Sequence, residues 1–196
     1  MSARTGADEA RRQLAALASL ANATSSDLAE AVASLADLVH DTLRGGGKLL
    51  FCGNGGSAAD AQHLAAEYVV RFARERRPLA ALALTTDTSV LTAAGNDYGF
   101  ESVFERQVRA LARRGDLLVL HSTSGESENL IRAARAAREI GVTSVGVLAR
   151  GGGRLKALVE LALVVPTDET SRAQELHLAL GHVVCDIVEK RITEES

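Results

Sequence analysis

The sequence predicts an α/β protein: a doubly wound, mostly parallel sheet in a three-layer sandwich, preceded by a helical extension. Three observations carry this. Short apolar runs recur at residues 48–52, 79–84, 116–121 and 143–149, with a further run at 161–165. Helical patterns alternate with these runs. The runs are continuous rather than interleaved with polar residues, as strands buried on both faces require. Parallel strands need right-handed crossovers. Ligands in such folds sit beyond the carboxyl ends of the strands, where the strand order reverses.

The elements follow in order. Residues 8–21 read as a helix, with Leu14, Leu17 and Ala21 on one stripe. Ser25, Ser26 and Asp27 offer cap chemistry for a second helix. That helix places Leu28, Val32, Leu35, Val39 and Leu43 at three- and four-residue steps, and Gly45-Gly46-Gly47 ends it. Residues 1–45 are thus expected to form an extension used in oligomer packing, because exposed apolar stripes mark interfaces. Residues 46–196 form the α/β domain. Its first strand, 48–52, runs into a glycine-rich turn and a helix at about 57–72. Pro78 precedes the strand at 79–84. Helical stretches at 88–94 and 100–112 lead to the strand at 116–121. A helix at 128–140 is stopped by Gly141. The strand at 143–149 precedes Gly151-Gly152-Gly153, a short helix, the run 161–165 and Pro166. A last helix spans about 171–188.

Composition narrows the function. The chain has 196 residues, 46% of them hydrophobic, enough to bury a core without disulfide or metal staples. A net charge of −3 argues against an electrostatic nucleic-acid footprint. Aromatics are 3% and Trp is absent, so base-stacking platforms are not expected. No apolar run approaches the ~20 residues of a membrane span, and no signal-peptide core is visible. Two cysteines, Cys52 and Cys185, make no disulfide framework. A cytoplasmic location is the simplest expectation.

Two turns carry chemistry. Gly53-Asn54-Gly55-Gly56-Ser57 follows a strand and opens a helix, so backbone N–H groups face whatever binds there. It lacks the Lys-Ser/Thr of a Walker A loop and the G-x-G-x-x-G spacing; turns of this kind also occur without a ligand. Ser122-Thr123-Ser124-Gly125-Glu126-Ser127 precedes another helix. Four hydroxyls exceed what N-capping needs, and with free N–H groups at a helix N-terminus they suit a phosphate. Glu126 is awkward there, since a carboxylate repels a phosphate.

The helix after the first turn places His63 and Glu67 four residues apart, on one face, with Arg71 one turn later. Such a pair can ligate a metal, serve as an acid/base pair, or form a plain surface contact. The last helix carries Gln174, His177 and His182. Gln174 and His182 lie ~12 Å apart along it, so they meet at one ion only if both reach inward or another subunit supplies one. His40 and His121 have no partner in sequence and read as structural.

Together these motifs resemble the phosphoheptose isomerases of the sugar isomerase (SIS) domain family, over nearly the whole chain. The carrying segments are Cys52-Gly53-Asn54-Gly55-Gly56-Ser57, Asp60-Ala61-Gln62-His63 with Glu67, Gly95-Asn96-Asp97, Ser122-Thr123-Ser124-Gly125, and Arg172-Ala173-Gln174-Glu175 with His182. The resemblance implies a flavodoxin-like SIS fold and interconversion of sedoheptulose 7-phosphate and D-glycero-D-manno-heptose 7-phosphate. It implies a homotetramer with shared active sites and a zinc site made by His63, Glu67, Gln174 and His182. Substrate contacts fall on Asn54, Gly55, Gly56, Glu67, Asn96, Asp97, Ser122, Thr123, Ser124, Ser127 and Gln174. Glu126 stands where the family commonly has Asn, and Ser171 where some members have Asp.

Aldose–ketose isomerisation moves a proton between C1 and C2 and another between their oxygens. Glu67 is expected to act as base and His182 as acid. Metal ligation by Glu67, proton abstraction by it, or alternation between the two remains open at this level. Two other readings fit the turns: an isomerase of a different sugar phosphate, and a non-catalytic regulator of a replication initiator or sugar phosphate. Relatives that bind the replication initiator lack the Glu and the final His, and this sequence has both; a sugar-phosphate-sensing regulator is expected to carry a DNA-binding module, and none is visible beside a net charge of −3.

Overall fold

The computed structural model describes residues 5–195. Helix α1 (Gly6–Arg44) leads to β1 (Leu49–Gly53), α2 (Gly56–Val69), β2 (Ala81–Ala83), α3 (Thr88–Tyr98), α4 (Val103–Leu111), β3 (Leu117–Ser122), α5 (Glu128–Ile140), β4 (Thr143–Leu148), β5 (Leu161–Val164) and α6 (Thr170–Glu194). The five strands are parallel, in the order β2-β1-β3-β4-β5. This is the doubly wound sheet the apolar runs predict.

Strand alternation sends side chains to two cores. Leu49, Phe51, Leu117, Val119, Val145 and Val147 meet residues of α1, α2 and α6. Leu50, Cys52, Leu118, Leu120 and Leu148 meet residues of α3, α4 and α5. The chain therefore crosses from one face to the other between β2 and β3. The reversal point lies between β1 and β3, where Gly53 pairs with His121. Both glycine- and serine-rich turns leave the sheet at this place.

Several boundaries differ from expectation. The two N-terminal helices are one 39-residue helix. No Gly or Pro separates the two apolar stripes after Gly6, and the Ser26 hydroxyl donates back to the Asn22 carbonyl at 3.2 Å instead of capping. The cap is Thr5, in a reciprocal box with Asp8. Val32, Leu35, Ala36, Val39 and Leu43 of α1 belong to the main core. Strand β2 is shorter than the run 79–84, as an edge strand with one neighbour. Helix α2 stops at Val69, which leaves Arg71 beyond it and exposed. The carbonyls of Glu67 and Tyr68 there accept from the Arg76 guanidinium at 2.7 and 2.9 Å. A 3₁₀ turn, Phe100–Ser102, separates α3 from α4. Helix α6 continues to Glu194, six residues past the expected end.

Candidate active site

Three helices begin at the reversal point without a side-chain cap: α2 at Gly55, α5 at Ser127 and α6 at Glu169. Their free N–H groups and positive dipole ends favour an anion. They surround a cavity of 270 Å³ lined by Asn54, Gly55, Gly56, Ser57, His121, Ser122, Thr123, Ser124, Ser127, Thr170 and Gln174. Eight residues expected to touch substrate therefore share one cavity. Ser122 Oγ accepts from Gly125 N at 3.0 Å, and Ser124 Oγ accepts from Glu126 N at 3.2 Å. Their hydroxyl protons remain available, as does the Ser127 hydroxyl, which makes no cap bond.

Two glycines permit this close assembly. A Cβ on Gly56 would lie 2.5 Å from the Gln174 amide, so a larger residue there would push that side chain off the first turn of α2. Gly125 has φ +67°, and a Cβ there would strike the Gly152 carbonyl oxygen at 2.0 Å. The serine turn is thereby seated on the triple-glycine loop. Glu126 completes the seat. Its carboxylate accepts from Arg154 N at 2.8 Å and Arg154 Nε at 2.7 Å. The Arg154 guanidinium and backbone hold the Glu126 carboxyl below the usual carboxylate range. Its charge is thus met by Arg154, and Glu126 does not line the cavity.

Helices α2 and α6 run side by side in the same direction, touching at Gly56–Gln174 and His63–His182, and the segment just past α2 bonds to α6 through Phe72 N and Glu189. His63 Nε2 lies 2.9 Å from His182 Nε2 and 3.2 Å from Glu67 Oε1. The ligand atoms of His63, Glu67 and His182 all fall within 4.8 Å of one another. The expected carboxylate–imidazole pair does meet, within one chain. The His63 side chain is 46% exposed and that of Glu67 22%, so a solute can reach both. Phe72 stacks on His182, ring centroids 5.4 Å apart. Two imidazoles facing nitrogen to nitrogen beside a carboxylate are a donor set that fits zinc.

The structure does not bring every expected residue here. Gln174 lies ~12 Å along α6 from His182 and rests on Gly56. Asn96 and Asp97 are exposed on α3, bonded to each other at 2.8 Å. Asp97 lines a different cleft, with Leu82, Val90, Tyr98 and Arg106. Sequence reasoning also overlooked residues. Asn129, at the start of α5, exchanges two hydrogen bonds with Asn54, at 2.9 and 3.0 Å. Below the cavity, Asp60, His121 and His177 form a second group of potential ligands. The position of His121 at the carboxyl end of a strand was the available signal.

The SIS domain sequence pattern matches residues 14–149. The phosphoheptose isomerase of Geobacter sulfurreducens is 54% identical over 185 residues, covering 94% of this chain and 98% of that protein. This chain belongs to the phosphoheptose isomerase family. The phosphoheptose isomerase of a Roseiflexus species is 57% identical over 164 residues, 84% of this chain and 83% of that protein. Solved phosphoheptose isomerases share the fold. That of Neisseria gonorrhoeae superposes with a TM-score of 0.90 at 44% identity, over 95% of this chain and all of that one. That of Francisella tularensis gives 0.91 at 35% identity, with the same coverage. The SIS-type fold and the isomerase family expected from the motifs are both found.

Proposed function

We propose that this phosphoheptose isomerase converts sedoheptulose 7-phosphate to D-glycero-D-manno-heptose 7-phosphate through an enediol, with Glu67 as base and His182 as acid. One observation carries the reading. A carboxylate and an imidazole meet on the α2–α6 seam, about two to three turns along it from a cavity ringed by three uncapped helix N-termini. The C7 phosphate occupies the cavity, held by Ser122, Thr123, Ser124, Ser127 and the α5 N-terminus. Asn54, Gly55 and Gly56 line the path of the sugar, which directs C1 and C2 toward the seam. Anchoring the remote phosphate contributes orientation at the reacting carbons.

Glu67 takes the proton from C1, and the electrons of that C–H bond form the C1–C2 double bond. His182 protonates the C2 oxygen as the carbonyl opens. The enediol then closes the other way: C2 receives a proton from Glu67, and the C1 oxygen loses one to the imidazole. Glu67 Oε1 faces His63, which leaves the second carboxylate oxygen for the C–H proton. His63, Glu67 and His182 are the residues that would hold zinc. When bound, zinc supplies polarisation of the substrate oxygens.

The remaining parts of this reading concern assembly. Residues 1–45 serve oligomer packing, with residues 46–196 as the SIS domain, and the enzyme is a cytoplasmic homotetramer. Asn96 and Asp97, exposed and outside the lining of their own chain's cavity, reach a neighbour's site, and Gln174 is available to complete a neighbour's zinc shell. Membrane and nucleic-acid partners are not expected: no described helix is long and apolar enough to cross a membrane, and the net charge is −3.

The test is incubation with sedoheptulose 7-phosphate in deuterated water, followed by NMR. An aldoheptose 7-phosphate carrying deuterium at C2 is expected. Unchanged ketose, with turnover of a different sugar phosphate instead, would reassign the substrate.

A further inference from the structure

Beneath the floor of the cavity, on the side facing α2 and α6, lie three ionisable side chains that the isomerisation does not use. His121 and His177 are 1% and 0% exposed and Asp60 is 9% exposed. Each comes from a different element: Asp60 from α2, His121 from the last turn of pairing in β3, His177 from α6. Their ligand atoms lie within 4.8 Å of one another. Asp60 Oδ2, both ring nitrogens of His121 and His177 Nδ1 are buried with no hydrogen-bond partner among the described residues. Buried polar atoms from three elements, gathered within 4.8 Å of one another without protein partners, call for an occupant.

The identity of these atoms selects its chemistry. His177 Nε2 lies 3.0 Å from the Leu148 carbonyl, which can only accept. The proton of a neutral His177 is therefore on Nε2, and Nδ1 presents a lone pair to the cluster. Burial, and then the nearby His177, push the His121 pKa down to about 3. A neutral His121 likewise offers one lone pair. Asp60 adds a carboxylate oxygen. Three lone-pair donors thus lie within 4.8 Å of one another. A water has two hydrogens and satisfies two of them, whereas a cation satisfies all three. Two imidazoles and one carboxylate suit a borderline divalent transition metal better than magnesium or calcium, which prefer oxygen-only shells.

We propose that Asp60, His121 and His177 form a second, buried divalent-cation site, distinct from the exposed His63, Glu67 and His182 group. His121 also lines the substrate cavity and directly precedes Ser122. A cation held here places positive charge under the floor on which an anionic ligand rests.

The experiment is metal stoichiometry by mass spectrometry, after loading with zinc and removal of free metal. A His63→Ala/His182→Ala double variant removes the exposed group and isolates the buried one. It is expected to retain one zinc per chain, and adding Asp60→Asn or His121→Leu to it is expected to abolish that zinc. Wild-type crystals, which require no variant to fold, should show an anomalous zinc peak between His121 and His177. A double variant that folds yet carries no zinc overturns the site. So does a stoichiometry unmoved by Asp60→Asn, or an anomalous peak confined to His63 and His182. Activity toward any sugar phosphate does not enter these readouts, so they stand or fall apart from the proposed reaction.

Discussion

Asn54 and Asn129 hold each other across the reversal point of the sheet, each amide donating to the other's carbonyl oxygen, at 3.0 and 2.9 Å. One residue follows β1 and the other opens α5. The pair thus fastens the glycine-rich turn to the helix that presents the serine turn. Asn54, which lines the cavity, retains a further N–H and a lone pair for a ligand.

Replacing Asn129 by Leu removes both bonds and leaves the Asn54 amide short of partners. A loss of about 1–3 kcal/mol in unfolding free energy is expected. A raised KM should accompany it, because the two turns lose their common fastening. Urea denaturation and steady-state kinetics on one preparation measure both. An unchanged midpoint would show that the pair contributes nothing beyond what water supplies.

Glu67→Gln keeps the size of the side chain and removes the base. Turnover should fall by at least about 100-fold, the usual scale for a lost general base. The thermal midpoint should stay near wild type, since Glu67 is partly exposed and its side chain belongs to no core cluster. Loss of deuterium incorporation at C2, together with an unaltered circular dichroism spectrum, is the expected signature. A folded variant that still exchanges the proton at the wild-type rate would transfer the role to another residue.

Much of this was legible in the sequence, and the reasons are physical. Helix α5 matches its expected limits to the residue, because Gly141 adopts a left-handed conformation, φ +72°, immediately after it. The His63–Glu67 pair follows from helical spacing alone. The partner on α6 does not, because the alignment of α2 with α6 depends on tertiary packing. The apparent break at Ser25-Ser26-Asp27 misled, since cap residues act only where the chain has reason to turn. Apart from the place of His121 at the carboxyl end of a strand, the Asp60, His121 and His177 group left no signal, for the same reason as the α2–α6 seam: its members lie on three elements with no local spacing in common.

Glu189 makes the fold sensitive to acid. It is 1% exposed and accepts from the N–H groups of Phe72, Ala73 and Arg74 at 2.9, 2.7 and 2.7 Å. Its ion pair with Arg76 measures 3.2 Å. Burial alone would raise its pKa, but the three backbone donors and Arg76 outweigh that and set it below the ordinary 4.5. The unfolded chain therefore binds this proton more readily than the folded one. The associated stability is present above pH 4.5 and is lost as pH falls through the folded value. Unfolding free energies measured from pH 7 down to 3 should decline less steeply in Glu189→Gln than in wild type. Glu189→Ala should cost about 3–5 kcal/mol at neutral pH, since it strands the buried Arg76. It should also lower turnover, because the segment it anchors carries Phe72, which stacks on His182. An equal acid slope in wild type and Glu189→Gln would place the sensitivity elsewhere.

The positions of Asn96 and Asp97 lead to a test of shared sites. Both are exposed on α3, and neither lines the cavity that holds Ser122 and Gln174. If Asp97 serves a neighbouring chain, Asp97→Ala and Glu67→Gln damage opposite halves of the same composite site. Each variant alone should be nearly inactive. Chains mixed under conditions that allow subunit exchange should regain roughly a quarter of wild-type activity, the random share of sites that receive two intact halves in a closed symmetric assembly. Light scattering should meanwhile report a tetramer. A mixture as inactive as its parts, or a monomer at working concentration, would confine each site to a single chain and leave Asn96 and Asp97 without a part in it.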